Sequence, residues 1–249
     1  EMQVHKTSNL YGYSEIRTPI IETASLFNRG VGEETDIVSK EMYSWEDKDK
    51  SIISLRPELT APVVRSYIQH NLGGQSPLQR LYYIGPSFRR ERPQKGRQRQ
   101  FHQFGVEAIG SANPEQDAEV ISLGVDILKS FGIKSLELKL SSIGSKSCRQ
   151  NFKSELVKYL NPFIPKLSEV SQRRLEKNPL RILDTKNEDE IEIVKSAPKI
   201  EQFYTKDDQN YFFSVQKFLN DLEIPFKIDP LLVRGCLLYT SDAADDIPR

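Results

Sequence analysis

The sequence predicts an α+β fold, a mostly antiparallel sheet flanked by helices and interrupted by a helical insertion. Three observations carry this. Two strand-like stretches, residues 81–88 and 98–109, lie either side of the turn-forming Pro93-Gln94-Lys95-Gly96, the pattern of a long antiparallel hairpin. Residues 114–130 place Ala118, Ile121, Val125 and Leu128 at helical spacing. From Ser145 the composition turns helical and charged, and extended character returns only near Phe226.

In chain order, residues 10–21 read as the end of a helix, a turn at Gly12 and an extended segment. Ile16, Pro19, Ile20 and Ile21 favour extended backbone, and Pro19, lacking an N–H, suits an edge or interface. Residues 33–49, with Asp36, Glu41 and Asp47, form an acidic stretch expected as a solvated loop or hairpin. The short apolar strand Ile52-Ile53-Ser54-Leu55 runs into Arg56-Pro57-Glu58. Thr60 can then cap a helix with Pro62 in its first turn, burying Val63, Val64, Tyr67 and Ile68. After the helix at 114–130, a strand is expected at Leu136, Leu138 and Leu140. Beyond it, Phe152, Leu156, Val157 and Leu160 form one apolar stripe, and Ile191 and Val194 belong to another. Residues 211–222 suit an amphipathic helix and 226–233 an extended return to the sheet. The domain division expected is 1–143, a helical insertion 144–208, a resumed core 209–235, and a tail 236–249 of different character. No internal repeat is visible.

The charge balance excludes several functions. Across 249 residues, 35 Lys and Arg face 35 Asp and Glu, so neither a globally basic nucleic-acid coat nor an acidic solvating tail fits. Hydrophobic residues at 37% are enough to build a core. Cys148 and Cys236 lie far apart and His5, His70 and His102 do not cluster, so no disulfide framework and no zinc site is expected. A reducing, cytoplasmic setting fits this cysteine usage. No apolar run approaches the ~18–20 residues needed to cross a bilayer, and no membrane role is expected. The start at Glu1 points to a missing beginning.

Candidate chemistry concentrates in the hairpin. Arg89, Arg90, Arg92, Lys95, Arg97 and Arg99 crowd its tip with Glu91 as the local acid, and guanidinium forks suit phosphate. A solvated basic loop is the plainer alternative. Along the second strand, period-2 geometry puts Gln103, Gly105 and Glu107 on one face and Phe104 and Val106 on the other. The first face can be a site: Gly105 lets a ligand approach the backbone, Gln103 donates and accepts, and Glu107 holds a cationic or N–H group. His102 points away from it and reads as a packed histidine, or one that supports the site from behind, rather than a general base. Glu58 and Thr60, just before a helix, can bind an ammonium group or simply cap the helix, while Arg56 reads equally as a surface ion-pair partner. Cys148 reads as structural.

The segments Arg29-Gly30-Val31-Gly32-Glu33, Leu55-Arg56-Pro57-Glu58-Leu59-Thr60-Ala61 and the basic hairpin resemble the histidyl-tRNA synthetase family, with its class II catalytic core. Tyr13-Ser14-Glu15-Ile16-Arg17-Thr18-Pro19 is similar to that core's first motif and the hairpin to its second. Asn178-Pro179-Leu180-Arg181-Ile182-Leu183-Asp184 and Leu232-Val233-Arg234-Gly235 also resemble family segments. The resemblance spans residues 10–235. It implies a class II synthetase-like fold, a homodimer, and activation of L-histidine by ATP with Mg2+ for transfer to the histidine tRNA. It puts the histidine amino group on Glu58, Thr60 and Gln103 and the imidazole against Glu107. Arg89 would grip the α-phosphate, Arg97 the outer phosphates, and Arg234 would stabilise charge on the α-phosphate during attack.

Departures follow Gly235. The family continues Leu-Asp-Tyr-Tyr-Thr, whereas this chain reads Cys236-Leu237-Leu238-Tyr239-Thr240, so Tyr239 aligns with an imidazole-contacting tyrosine in altered surroundings. The tail 236–249 is expected to be non-native. The third class motif and an anticodon-binding domain are missing from the sequence, so the chain alone is expected to be an inactive piece truncated at both ends. The competing reading is a synthetase-like regulatory subunit of ATP phosphoribosyltransferase, from which Arg89, Arg97, Gln103, Glu107 and Arg234 argue away because they keep the synthetase pattern. An RNA-binding module explains the cations but leaves Glu58, Thr60 and Glu107 without a role.

Overall fold

The structure, a computed structural model, describes residues 1–31, 41–91 and 97–232. Arg234, Tyr239, the tail 236–249, the turn at 92–96 and Asp36 lie outside the described residues. Two compact units form, one of Glu1–Ala112 with Glu119–Ile133, the other of Asn113–Ala118 with the chain from Lys134 to residue 232.

The first unit begins with helix α1 (Met2–Leu10), which stops where Gly12 takes φ +75° and the Tyr13 N–H reaches back to the Ser8 carbonyl at 3.0 Å. Strand β1 (Ser14–Glu15) then runs parallel to β5 (Gln79–Phe88), which pairs antiparallel with β6 (Gln100–Ile109) over its whole length, from Gln79 opposite Ile109 to Phe88 opposite Gln100. A separate sheet sets β4 (Ile52–Leu55) between β2 (Ile21–Thr23) and β3 (Tyr43–Glu46), all antiparallel. The described part of the acidic stretch is thus a hairpin. Helix α2 (Ala24–Val31) follows β2.

The long hairpin is apolar on both faces, and the alternation decides what each face meets. Tyr82 and Ile84 with Phe104 and Val106 pack against Val4 of α1 and Leu123 and Ile127 of α5 (Pro114–Ser130). Leu81 and Tyr83 face the other way, against Leu59 and Val63 at the start of α3 (Thr60–Gln69). Leu123 and Ile127 are fully buried, each contributing roughly 1.5–3 kcal/mol.

Two packing expectations are corrected. In α5 the fully buried apolar side chains are Ala118, Leu123 and Ile127, while Ile121, Val125 and Leu128 are only partly covered. The helix is rotated because its polar residues are anchors: the Tyr11 hydroxyl donates to Asp126 at 2.6 Å, and Arg80 forks onto Glu119 at 2.8 Å through both Nε and Nη2. In α3, Ile68 is 56% exposed although Val63, Val64 and Tyr67 are buried. It lies about 100° round the helix from Tyr67 and beyond the covered stripe. A short helix, α4 (Leu72–Gln75), leads into β5.

In the second unit, β7 (Leu138–Leu140) pairs in parallel with β8 (Phe226–Ile228). Helices α6 (Lys146–Leu160), α7 (Glu169–Lys177), α8 (Glu188–Lys195) and α9 (Lys206–Asp221) lie between them in sequence. Cys148, Phe152, Leu156 and Leu160 on α6 bury one stripe against Ile182, Val194 and Ile200, so Cys148 is indeed part of the core. Helix α9 starts earlier than expected because Thr205 and Asp208 form a reciprocal capping box.

Candidate functional site

The site is assembled at the join between β4, α3 and the hairpin. Leaving β4, the chain turns through Arg56-Pro57-Glu58, and the Glu58 carboxylate accepts the backbone N–H groups of Thr60 at 2.5 Å and Ala61 at 3.1 Å. Glu58 is therefore the side chain that caps α3, and Thr60 is the helix's first residue. Freed from capping, the Thr60 hydroxyl lies 3.3 Å from that of Tyr83 on β5.

Tyr83 is the residue that sequence reasoning missed. It stands directly opposite Gly105, and its hydroxyl donates to Glu107 Oε1 at 3.2 Å. A Cβ on Gly105 would sit 2.3 Å from that hydroxyl, so the space expected to admit a ligand is occupied by Tyr83. A signal existed: positions 83 and 105 are equally distant from Gln94, and a hairpin centred there must pair them. Gln103 pairs with Gly85, and Glu107 with Leu81, so Gln103, Gly105 and Glu107 do share one face.

Glu58 is 1% exposed. Burial pushes its carboxyl up, the Ala61 and Thr60 amides oppose this, Glu107 adds repulsion and Arg89 relief, and the balance stands at about 7. Burial likewise raises Glu107, against hydrogen bonds from Thr60 and Tyr83. Tyr83 is raised by burial and then by the Glu107 charge, so it stays a neutral donor. Two buried carboxylates with few compensating cations gain from receiving a positive charge or N–H donors.

Arg89 leaves β5 with its Nε donating to the Pro57 carbonyl at 2.9 Å and its guanidinium carbon 5.2 Å from the centre of the Phe101 ring. Arg90 lies similarly over Tyr43. Arg97 is exposed and pairs with Glu91 at 3.3 Å, which partly offsets the crowd of positive charge. His102 is exposed, correcting the packed reading. Arg56 is not a surface partner either: it is 4% exposed and donates to backbone carbonyls. Among the described residues no group of three or more His, Cys, Asp or Glu is placed to hold a metal ion. No helix among them is long and apolar enough to cross a membrane.

A pair of buried carboxylates close to arginines stacked on aromatic rings has the chemistry to receive an ammonium group and a phosphate together. In comparison with known proteins, residues 1–241 match the sequence family described as histidyl-tRNA synthetase. The chain belongs to that family. It is 52% identical over 239 residues to the histidine–tRNA ligase of Protochlamydia amoebophila, covering 96% of this chain and 56% of that one. Its fold is similar to that of the apo histidyl-tRNA synthetase from S. aureus, with TM-score 0.73, 40% identity, and coverage of 94% of this chain and 53% of the other. A Bacillus halodurans chain named ATP phosphoribosyltransferase regulatory subunit/histidyl-tRNA synthetase shares the fold at TM-score 0.63 and 22% identity, over 93% of this chain and 63% of its own. The chain spans about half the length of the curated relative it matches. The class II synthetase-like α+β reading of the sequence is therefore correct for the family.

Proposed function

We propose that this chain supplies the amino-acid and ATP sites of a histidine–tRNA ligase, which activates L-histidine to histidyl-adenylate and passes it to the histidine tRNA. The observation that carries the reading is the hydrogen-bonded cluster of Glu58, Thr60, Tyr83 and Glu107, with Arg89 tied to the neighbouring Pro57 carbonyl. The histidine ammonium would settle on Glu58, Thr60 and Gln103, whose carboxylate, hydroxyl and amide oxygens are the acceptors such a group needs. Ionised Glu58 is favoured once that cation arrives. Glu107 would accept an imidazole N–H, and a side chain lacking that donor would leave a buried carboxylate unpaired.

In the reaction, a histidine carboxylate oxygen attacks the α-phosphorus, a mixed anhydride forms and pyrophosphate leaves. Arg89 would hold the α-phosphate and Arg97, released from Glu91, the outer phosphates. Arg234 and Tyr239 keep the parts the family resemblance gives them, charge stabilisation and imidazole contact. Catalysis is then positioning and electrostatic stabilisation, with no protein nucleophile. Mg2+ would arrive on the ATP phosphates, neutralising their charge. A homodimer, a cytoplasmic location and the division into a core over 1–143 and 209–235 around an insertion at 144–208 belong to the same reading.

The test is histidine-dependent exchange between ATP and pyrophosphate, run on the full-length gene product with Mg2+. Exchange with histidine and not with other amino acids supports the proposal. A folded protein giving none would defeat it and favour the regulatory-subunit reading.

A further inference from the structure

The chain that leads into Glu58 begins with a buried arginine whose bonding is unusual. Arg56 places its Nε on the Pro86 carbonyl at 2.9 Å and its Nη1 on the Thr18 carbonyl at 2.8 Å, with Thr18 Oγ1 at 3.2 Å and the Pro19 carbonyl at 3.3 Å. Its backbone is held at the same level: its N–H donates to the Ile20 carbonyl at 2.9 Å, and its carbonyl accepts from Phe88 at 3.0 Å. Room for the fork comes from Gly85, where a Cβ would lie 2.5 Å from Nη2. Burying a guanidinium on neutral acceptors is a costly way to join loops, and burial lowers its pKa. What it yields is a fixed relation among three chain segments: the approach to β2, the end of β5, and the turn into α3. The next residue, Pro57, offers the carbonyl that receives Arg89 Nε, and Phe88, bonded to the Arg56 carbonyl, immediately precedes Arg89.

We infer that Arg56 is a positioning residue that aims the Arg89 guanidinium, acting on phosphate only through Arg89. The inference rests on the proposed ATP site, because it takes Arg89 as the phosphate contact. Lysine cannot replace Arg56, since one ammonium cannot reach Pro86 and Thr18 along two fixed, separate directions. Misplacing a binding group by about 1 Å can lower a rate by about 100-fold. Arg56→Lys should therefore lower kcat/KM for ATP by about 30-fold while the KM for histidine stays within about 2-fold.

The deciding experiment is a double-mutant cycle on the full-length gene product, read by histidine-dependent ATP–pyrophosphate exchange. It compares wild type, Arg56→Lys, Arg89→Ala and the pair. If Arg56 acts through Arg89, the Lys substitution changes kcat/KM for ATP by no more than about 2-fold once Arg89 is Ala. Gly85→Ala, which crowds the fork while keeping the charge, should reproduce the ATP defect and serves if Arg56→Lys does not fold. Equal losses in both backgrounds, or a parallel loss of histidine KM, would mean a merely structural role and overturn the inference. So would an unchanged kcat/KM in Arg56→Lys and Gly85→Ala. An Arg89→Ala protein with unaltered ATP dependence would instead defeat the phosphate role of Arg89, while absence of exchange in wild type would defeat the functional reading itself.

Discussion

Glu58 in the first unit and Glu190 in the second are both almost completely buried beside the start of a helix, and the two are treated in opposite ways. Glu190, with 0% exposure, accepts from the Ser168 N–H at 2.7 Å, the Ser171 hydroxyl at 2.8 Å and the Thr185 hydroxyl at 2.5 Å. Burial alone would raise its carboxyl, but donors from Thr185, Ser168 and Ser171 take it below the ordinary value. Glu58 receives backbone donors only, faces a second carboxylate, and stands at about 7. One carboxylate is fully satisfied and ties a helix to its neighbours. The other has acceptor capacity left over beside a second carboxylate, and that unmet demand marks a place for a ligand.

The comparison breaks first at Glu190. Glu190→Ala strands three donors and leaves a void, so unfolding free energy should fall by about 4 kcal/mol. Urea denaturation of the full-length product checks it, and a loss below about 1 kcal/mol would refute the satisfied-anchor reading. Because its folded pKa is depressed, the ionised Glu190 contributes stability above the unfolded value near 4.5, lost as pH falls through the folded value.

Glu58→Gln should show the reverse pattern. Activity goes down, with kcat/KM for histidine falling about 100-fold, or about 2.7 kcal/mol, because the ammonium loses its anion. Stability does not follow. A folded pKa of about 7 against an ordinary 4.5 means that wild type loses stability as pH rises between those values, by up to about 3 kcal/mol. The Gln variant lacks that titration, so its melting temperature relative to wild type should rise from pH 5 to pH 8. A relative melting temperature that stays flat across this range would show that Glu58 is as settled as Glu190.

Much of this contrast was legible in the sequence, for identifiable reasons. Alternation along residues 103–107 placed Glu107 on the site face and Phe104 and Val106 in the core because a strand has period 2 whatever surrounds it. The α3 start was legible as a cap but not the residue that supplies it, since whether Glu58 or Thr60 meets the free amides depends on where the helix begins, to one residue. The α5 face was misjudged because Tyr11 and Arg80, distant in sequence, hold its polar residues inward. The buried state of Arg56 was invisible for the same reason: its partners lie near positions 18 and 86. Nothing in the sequence marks Glu190, because a carboxylate in a charged helix looks solvated until Ser168, Ser171 and Thr185 are brought round it.

A smaller break concerns the close approach of Tyr83 to Gly105. Gly105→Ala puts a methyl where the Tyr83 hydroxyl lies, so the ring must move or the strands must part. Either way Glu107 loses its donor, and kcat/KM for histidine should fall by about 30-fold. An active alanine variant with unchanged histidine KM would mean that the Tyr83 placement is incidental.

Tyr83→Phe should have the mildest effect, because the ring still fills the space opposite Gly105 and only the hydroxyl's contacts with Glu107 and Thr60 are lost. A loss of about 3–10-fold in kcat/KM for histidine is expected, about 1 kcal/mol, the scale of long hydrogen bonds that are partly replaced. The diagnostic is its pH dependence. Tyr83 and Thr60 lower the Glu107 carboxyl against the upward push of burial, so removing the hydroxyl leaves that carboxyl higher still. The Phe variant should need a higher pH to ionise Glu107, and its histidine KM should approach the wild-type value as pH rises. A defect of constant size across pH would assign Tyr83 to packing alone, and the candidate site would then rest on Glu58, Thr60 and Glu107 without it.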